Sequence, residues 1–163
     1  MLKIHQKTLP LLVLMLCFAL KSTSSLARDM HGRLGVGYNA QFADNLPAVA
    51  LKYGVTRATA VEGILGMDTR TPSRRALGAK ISQNIFMESN LNFYGFSGLL
   101  LSKTAAGSGV EIPAGVGVEF FLPALESIGW SIETGGLLSN TTGSFSVRTI
   151  GVSFLNAGIR FYF

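Results

Sequence analysis

"VEIPAGVGVEF", Val110–Phe120, separates into two registers. One holds Val110, Ile112, Ala114, Val116, Val118 and Phe120, and the other holds Glu111, Gly115, Gly117 and Glu119. Successive side chains of an extended chain point to opposite faces, so this alternation predicts a strand with one bulky apolar face and one acidic, glycine-rich face. Which of the two lies inside decides the fold.

The same division recurs along the chain. "RLGVGYNAQF" sets Leu34, Val36, Tyr38, Ala40 and Phe42 against Arg33, Gly35, Gly37, Asn39 and Gln41. "AVALKYGV" sets Val49, Leu51, Tyr53 and Val55 against Ala48, Ala50, Lys52 and Gly54. After "TRA", Thr59, Val61, Gly63, Leu65 and Met67 oppose Ala60, Glu62, Ile64 and Gly66. Leu77, Ala79 and Ile81 then oppose Gly78, Lys80 and Ser82, following a polar loop at "DTRTPSRR". A fifth strand, about Leu91–Leu101, has aromatics on both registers, and its faces stay open unless a bulge intervenes.

Beyond "LPALESIG", Trp130, Ile132, Thr134 and Leu138 oppose Ser131, Glu133 and Gly135. The eighth strand has a clean register from Leu155 to Phe163. Upstream, Ile150, Val152 and Phe154 lie on the other register, which predicts a bulge or loop end near Phe154. All 19 glycines follow residue 27, many inside apolar segments, and helices are a poor fit. Eight strands joined by turns predict an antiparallel meander that closes on itself.

Lys52, Glu62, Lys80, Glu111, Glu119, Glu133 and Arg160 all share the face opposite the apolar stripe. A soluble eight-stranded barrel has an interior just wide enough for side chains, too narrow for so bulky and continuous an apolar face. Turned inside out, the pattern is coherent: bulky residues meet lipid, while glycines and charges fill the lumen. The expected fold is therefore all-β, an eight-stranded antiparallel up-and-down transmembrane β-barrel. A mean hydropathy of +0.38 with 14% charged residues agrees with an apolar surrounding.

Two segments are expected: a cleaved signal peptide at 1–27 and the barrel at 28–163. Lys3 and Lys7 precede the apolar run Leu9–Leu20, and Ser25 and Ala27 supply small residues for cleavage. The run is about 12 residues, too short to span a bilayer as a helix. Its Cys17 is the only cysteine, so a mature chain would carry no disulfide. Lys3, Lys7 and Lys21 would leave with it, so the 14 basic residues become 11 against 9 acidic ones, net +2. That balance is no footprint for nucleic acid.

An even strand count puts both termini on one side, the periplasmic one in bacterial barrels. Tyr53, Phe93, Phe120 and Trp130, with Phe161 and Phe163, would then form an aromatic girdle at that interface. Phe42 and Phe145 would mark the other rim. The ending, with Leu155, Ala157, Ile159, Phe161 and Phe163 on one register and Tyr162 beside the last residue, resembles the C-terminal β-signal of bacterial outer-membrane proteins. The chain as a whole resembles small barrels of the OmpA and OmpX type. That resemblance implies a Gram-negative outer membrane, reached by export through the signal peptide. It also implies contact with outer-membrane lipid and lipopolysaccharide, and with periplasmic chaperones and the barrel-assembly machinery during biogenesis.

Within the lumen, a three-residue turn at "TRA" puts Lys52 directly opposite Glu62, where the charges should attract. Arg160 is expected to pair with Glu133 or Glu119, because an unpaired charge there is costly. Lys52, Glu62, Lys80, Glu119, Glu133 and Arg160 thus form the candidate site, a lumen charge network.

Catalysis is not expected. Small barrels that modify lipid A need a base near the outer leaflet, but His5 leaves with the signal and His31 precedes the first strand. Asp44, Asp68 and Ser102 read as loop residues near that rim. No ligand spacing points to a metal, and no cofactor is implied. The first functional expectation is a non-enzymatic outer-membrane barrel with a plugged polar lumen and an envelope-structural or surface-interaction role. Transport of ions or small solutes, and a soluble periplasmic barrel holding lipid, are the alternatives. The expected outer loops, near 43–47, 68–75, 102–108 and 139–144, are short.

Overall fold

The computed structural model describes residues 29–40, 46–105, 107–140, 143, 145–151 and 154–163. The expected signal segment, Phe42, Asp44 and Val152 lie outside the described residues. Within them the chain is all-β, with nine strands: β1 (Leu34–Asn39), β2 (Ala48–Gly54), β3 (Thr59–Asp68), β4 (Arg74–Glu88), β5 (Leu91–Thr104), β6 (Gly107–Leu122), β7 (Leu125–Asn140), β8 (Ser146–Thr149) and β9 (Asn156–Tyr162).

Each of β1 to β7 pairs antiparallel with the next, and β9 pairs with both β7 and β1. Those eight strands close into a barrel. The extra strand, β8, pairs with the second half of β7 while β9 takes the first half, so both follow one path down the wall. Between Thr149 and Asn156 the chain advances seven residues while their β7 partners, Gly136 and Glu133, lie three apart. The chain therefore spends four residues more than β7 between these two pairs, at the interruption expected near Phe154. Four is an even number, so Arg148 and Arg160 keep the same inward parity on either side. Gly151 makes the excursion possible, with φ at +73° and a backbone so close to Leu155 that an added Cβ would lie 2.3 Å from its carbonyl oxygen.

Both described chain ends, with the turns around Arg57, Ser89–Asn90 and Pro123–Ala124, lie at one rim, called here the terminal rim. At that end Val55 N–H donates to the Thr59 carbonyl at 2.9 Å, and the Thr56 hydroxyl accepts from the Thr59 N–H at 2.9 Å. This closes "TRA" into the three-residue turn. At the far rim, β5 and β6 meet through two residues, with Thr104 opposite Gly107. Ser102 and Ser108, expected in a loop, therefore lie in strands. The β7 strand likewise begins at Leu125, earlier than expected, because Pro123 and Ala124 reverse the chain in two residues and Ala124 adopts φ +68°.

Strand faces follow the registers read from the sequence. In β2, Ala48, Ala50, Lys52 and Gly54 are buried while Val49, Leu51 and Tyr53 are exposed. In β6, Glu111, Pro113, Gly117 and Glu119 are buried and Ile112, Ala114 and Val116 are exposed. The fifth strand runs without a bulge of its own: Asn92, Tyr94, Phe96, Leu100, Ser102 and Thr104 all face inward. The register shift lies on its neighbour, between Asn84 and Phe86 of β4.

Glycine admits the inward aromatics. A Cβ on Gly117 would lie 2.7 Å from the Tyr94 ring, so the narrow lumen seats a tyrosine only because β6 has no side chain there. The interior is consequently less polar than expected. Ala50, Ile64, Tyr94, Phe96, Leu100, Leu137 and Ile150 form a buried apolar layer, and Met30, Phe121 and Tyr162 form another at the terminal rim.

Candidate functional site in the barrel lumen

The inward parity of β2, β3, β4, β6, β7 and β9 converges Lys52, Glu62, Lys80, Glu119, Glu133 and Arg160 in the lumen, each at most 7% exposed. Their contacts form one connected chain. Lys52 Nζ lies 2.7 Å from Glu119 Oε2, and Arg160 Nη1 lies 3.3 Å from Glu119 Oε1. The other arm of the guanidinium, Nη2, donates to both Glu62 oxygens at 2.8 and 2.9 Å. Lys80 Nζ stands 3.3 Å from Glu62 and donates to both oxygens of Glu133 at 2.9 and 3.0 Å. Three cations thus meet three carboxylates, and the network is neutral.

One expected pairing is corrected, and the other, Arg160 with Glu119, is present beside a stronger partner. Lys52 is directly opposite Glu62 in the ladder, yet its ammonium goes to Glu119 on the other side of the lumen. The Glu62 carboxylate is already held by Arg160 and Lys80, and a lysine stem is long enough to cross so narrow a space. Arg160 takes Glu62 as its main partner, with Glu119 second, while Glu133 is held by Lys80 and by the Tyr94 hydroxyl at 2.6 Å. Cross-strand adjacency governs partners on an open sheet. In a closed eight-stranded barrel the opposite wall is equally near.

Several members were not anticipated. Tyr162, read as part of the terminal motif, faces inward and donates to Glu119 Oε1 at 2.6 Å. Ser131 Oγ accepts from Arg160 Nη1 at 3.0 Å, and Asn39 Nδ2 approaches Glu62 at 3.4 Å. Their positions carry a signal, since each falls on the inward parity of its strand. Tyr94 was hidden by the two aromatic registers of β5. Lys52 and Lys80 also sit over the Tyr94 and Phe96 rings, 4.9 and 4.8 Å from the centroids, where the ring faces stabilise buried cations. Among the described residues, Asn92 Oδ1 and Arg160 Nε are the buried side-chain atoms left without a hydrogen-bond partner.

A second polar group lies toward the far rim. Glu111 is fully buried and accepts from the Ser102 hydroxyl at 3.1 Å and from Arg148 Nη2 at 3.2 Å. Ser102 is therefore a ligand of this carboxylate rather than a turn former. At the terminal rim Met30–Arg33 folds over the mouth, with Gly32 N–H donating to the Gly54 carbonyl at 2.8 Å and Arg57 clasping Asp29 at 2.8 Å. That guanidinium and the His31 N–H hold the Asp29 carboxyl below the usual carboxylate range. Below this cover, the space among Lys52, Asn92, Glu119 and Tyr162 measures about 10 Å³. Among the described residues, no three of His, Cys, Asp and Glu converge as metal ligands.

On the outside, Tyr53, Trp130, Phe161 and Phe163 are exposed near the terminal rim, and Phe93 and Phe120 are half-buried beside them. Phe161 and Phe163 lie with ring centroids 6.2 Å apart. Phe145 is exposed toward the far rim. Leu155, Ala157 and Ile159 also point outward. Comparison with protein-family models, with curated proteins and with solved structures returned no match.

Proposed function

We propose that this chain is an integral outer-membrane β-barrel whose lumen is filled by its own side chains, serving the envelope as a structural or surface-interaction component. One observation carries the reading: the barrel turns its charges inward and its large apolar side chains outward. Leu51, Leu65, Leu77, Ile81, Leu99 and Leu101 are each about half exposed on the outer wall. Water-soluble monomers rarely expose contiguous apolar patches beyond a few hundred Å². Closure supports the same reading, because hydrocarbon tolerates strands only where no edge leaves backbone groups unpaired.

The alternatives fit less well. A barrel that holds lipid in its lumen requires apolar residues facing in, and here three ion-paired cations occupy that space. A conduit requires water-filled room, whereas the terminal half is bridged by Lys52, Glu119, Arg160 and Glu62 and covered by Met30. The expected conductance in planar bilayers is nil. On this reading, the outward Phe161 and Phe163 belong to the address read by the assembly machinery, and Phe163→Asp should lower assembly while leaving export intact.

The decisive experiment compares cold and boiled gel mobility of protein extracted from an outer-membrane fraction. A shift on heating together with resistance to urea extraction is expected. Release into the soluble fraction without a shift would overturn the reading.

A further inference from the structure

Arg75 and Lys103 face each other directly across β4 and β5, and both side chains are exposed on the outer wall, alternating with the buried Ala76 and Ser102. Like charges in that position repel, and a sheet normally separates them or supplies an acid. Asp68, the carboxylate of β3 at this end, falls on the inward parity with Glu62 and Gly66 and is taken by Arg70 at 2.9 Å and Arg74 at 2.8 Å, while the residue opposite Arg75 is Met67. Among the described residues, no carboxylate pairs with Arg75 or Lys103. Ser108, on the neighbouring strand, stands opposite Lys103 and adds a hydroxyl to the same row.

Immediately below, toward the middle of the wall, lies a second row of a different kind. Leu65 is opposite Leu77, Leu77 opposite Leu101, and Leu101 opposite Val110. The three leucines are 57%, 58% and 59% exposed. The two rows line a shallow groove of about 510 Å³. A cationic pair at the rim end of an apolar groove matches an amphiphile with an anionic head and a hydrocarbon tail. Phosphate suits the head, since a guanidinium, an ammonium and a hydroxyl offer donors to several oxygens of one group.

We infer that this face of β3–β6 binds a phosphate-bearing lipid, with its headgroup on Arg75 and Lys103 and an acyl chain along Leu65, Leu77 and Leu101. The inference rests on the membrane reading above, because only then do the rim row and the leucine row fall at headgroup and hydrocarbon depth. A soluble phosphorylated molecule would use the cations but not the groove. A protein partner would need the same wall free of lipid.

The test reconstitutes wild type and the Arg75→Gln/Lys103→Gln double variant in phosphatidylcholine vesicles containing a minor fraction of phosphatidic acid. Heat-modified gel mobility reports folding, and native mass spectrometry after mild detergent extraction reports the lipid that stays bound. Wild type should retain phosphatidic acid over phosphatidylcholine by about tenfold relative to their ratio in the vesicle, from two cations near the headgroup plane. The double variant should fold and lose that preference. Equal retention by both proteins, or no preference in a folded wild type, overturns the site and leaves the membrane reading standing. A wild type that does not enter the vesicles overturns both. If the double variant does not fold, Arg75→Gln and Lys103→Gln singly replace it, each expected to lose a few-fold of the preference.

Discussion

Replacing Lys52 by Met tests whether the lumen is organised across its width or along its ladders. The ladder puts Lys52 opposite Glu62, whereas the geometry gives its ammonium to Glu119 at 2.7 Å. At that separation and an effective dielectric of about 20, the gross attraction is about 6 kcal/mol. Desolvation of two nearly buried groups offsets much of it, leaving an expected coupling of about 2 kcal/mol. Lys52→Met should cost about 3 kcal/mol, at the low end for a broken buried pair, because Glu119 keeps Tyr162 at 2.6 Å and Arg160 at 3.3 Å.

The assay is a pair of double-mutant cycles in detergent micelles. Urea unfolding is followed through Trp130, the single tryptophan, which sits on the outer wall. Lys52→Met with Glu119→Gln should be milder than the sum of the single changes by about 2 kcal/mol. Lys52→Met with Glu62→Gln should couple more weakly, by about 1 kcal/mol or less, since the two groups share the network through Arg160 and Glu119 without touching. A larger coupling to Glu62 than to Glu119 would refute the cross-lumen assignment.

Three further outcomes are expected. Gly78→Ala puts a Cβ 2.3 Å from the Leu99 carbonyl oxygen and should cost at least about 2 kcal/mol, whereas Gly63→Ala meets nothing within 4 Å and should stay within about 0.5 kcal/mol, both read from urea midpoints. Ala124→Gly relieves a left-handed backbone at φ +68° and should stabilise by about 1 kcal/mol; an unchanged or lower midpoint would contradict the two-residue turn. For Asp29, the folded carboxyl is depressed by Arg57 and by the His31 N–H, so its contribution is complete above the unfolded value of about 4 and lost as pH falls through the folded one. The stability difference between wild type and Asp29→Asn should therefore hold steady near neutral pH and shrink on acidification, and growth at low pH would count against the clasp.

Strand faces were legible because a two-residue period survives any later packing. Val49 and Leu51 cannot share a face with Lys52 in an extended chain, whatever surrounds it. Chain order also supplied the turn at "TRA", since a short link leaves two neighbouring strands only one register. The β5 faces were not legible. Tyr94 and Phe96 compete with Phe93 and Leu99 for either face, and what seats Tyr94 inward is the space that Gly117, distant in the chain, leaves in the lumen. Leu100, on the same strand, likewise packs inward beside a glycine of its neighbour, Gly78, where an added Cβ would lie 2.6 Å from the leucine side chain.

By itself, then, the sequence determined an all-β chain of eight transits and the inward parity of Lys52, Glu62, Lys80, Glu119, Glu133 and Arg160. Local geometry suffices for that, because alternation and turn length act between near neighbours. Only the tertiary structure decided which charge meets which. Closure brings β2 within reach of β6, and β9 within reach of β3, so Lys52 finds Glu119 and Arg160 finds Glu62 across a lumen whose width no local pattern encodes.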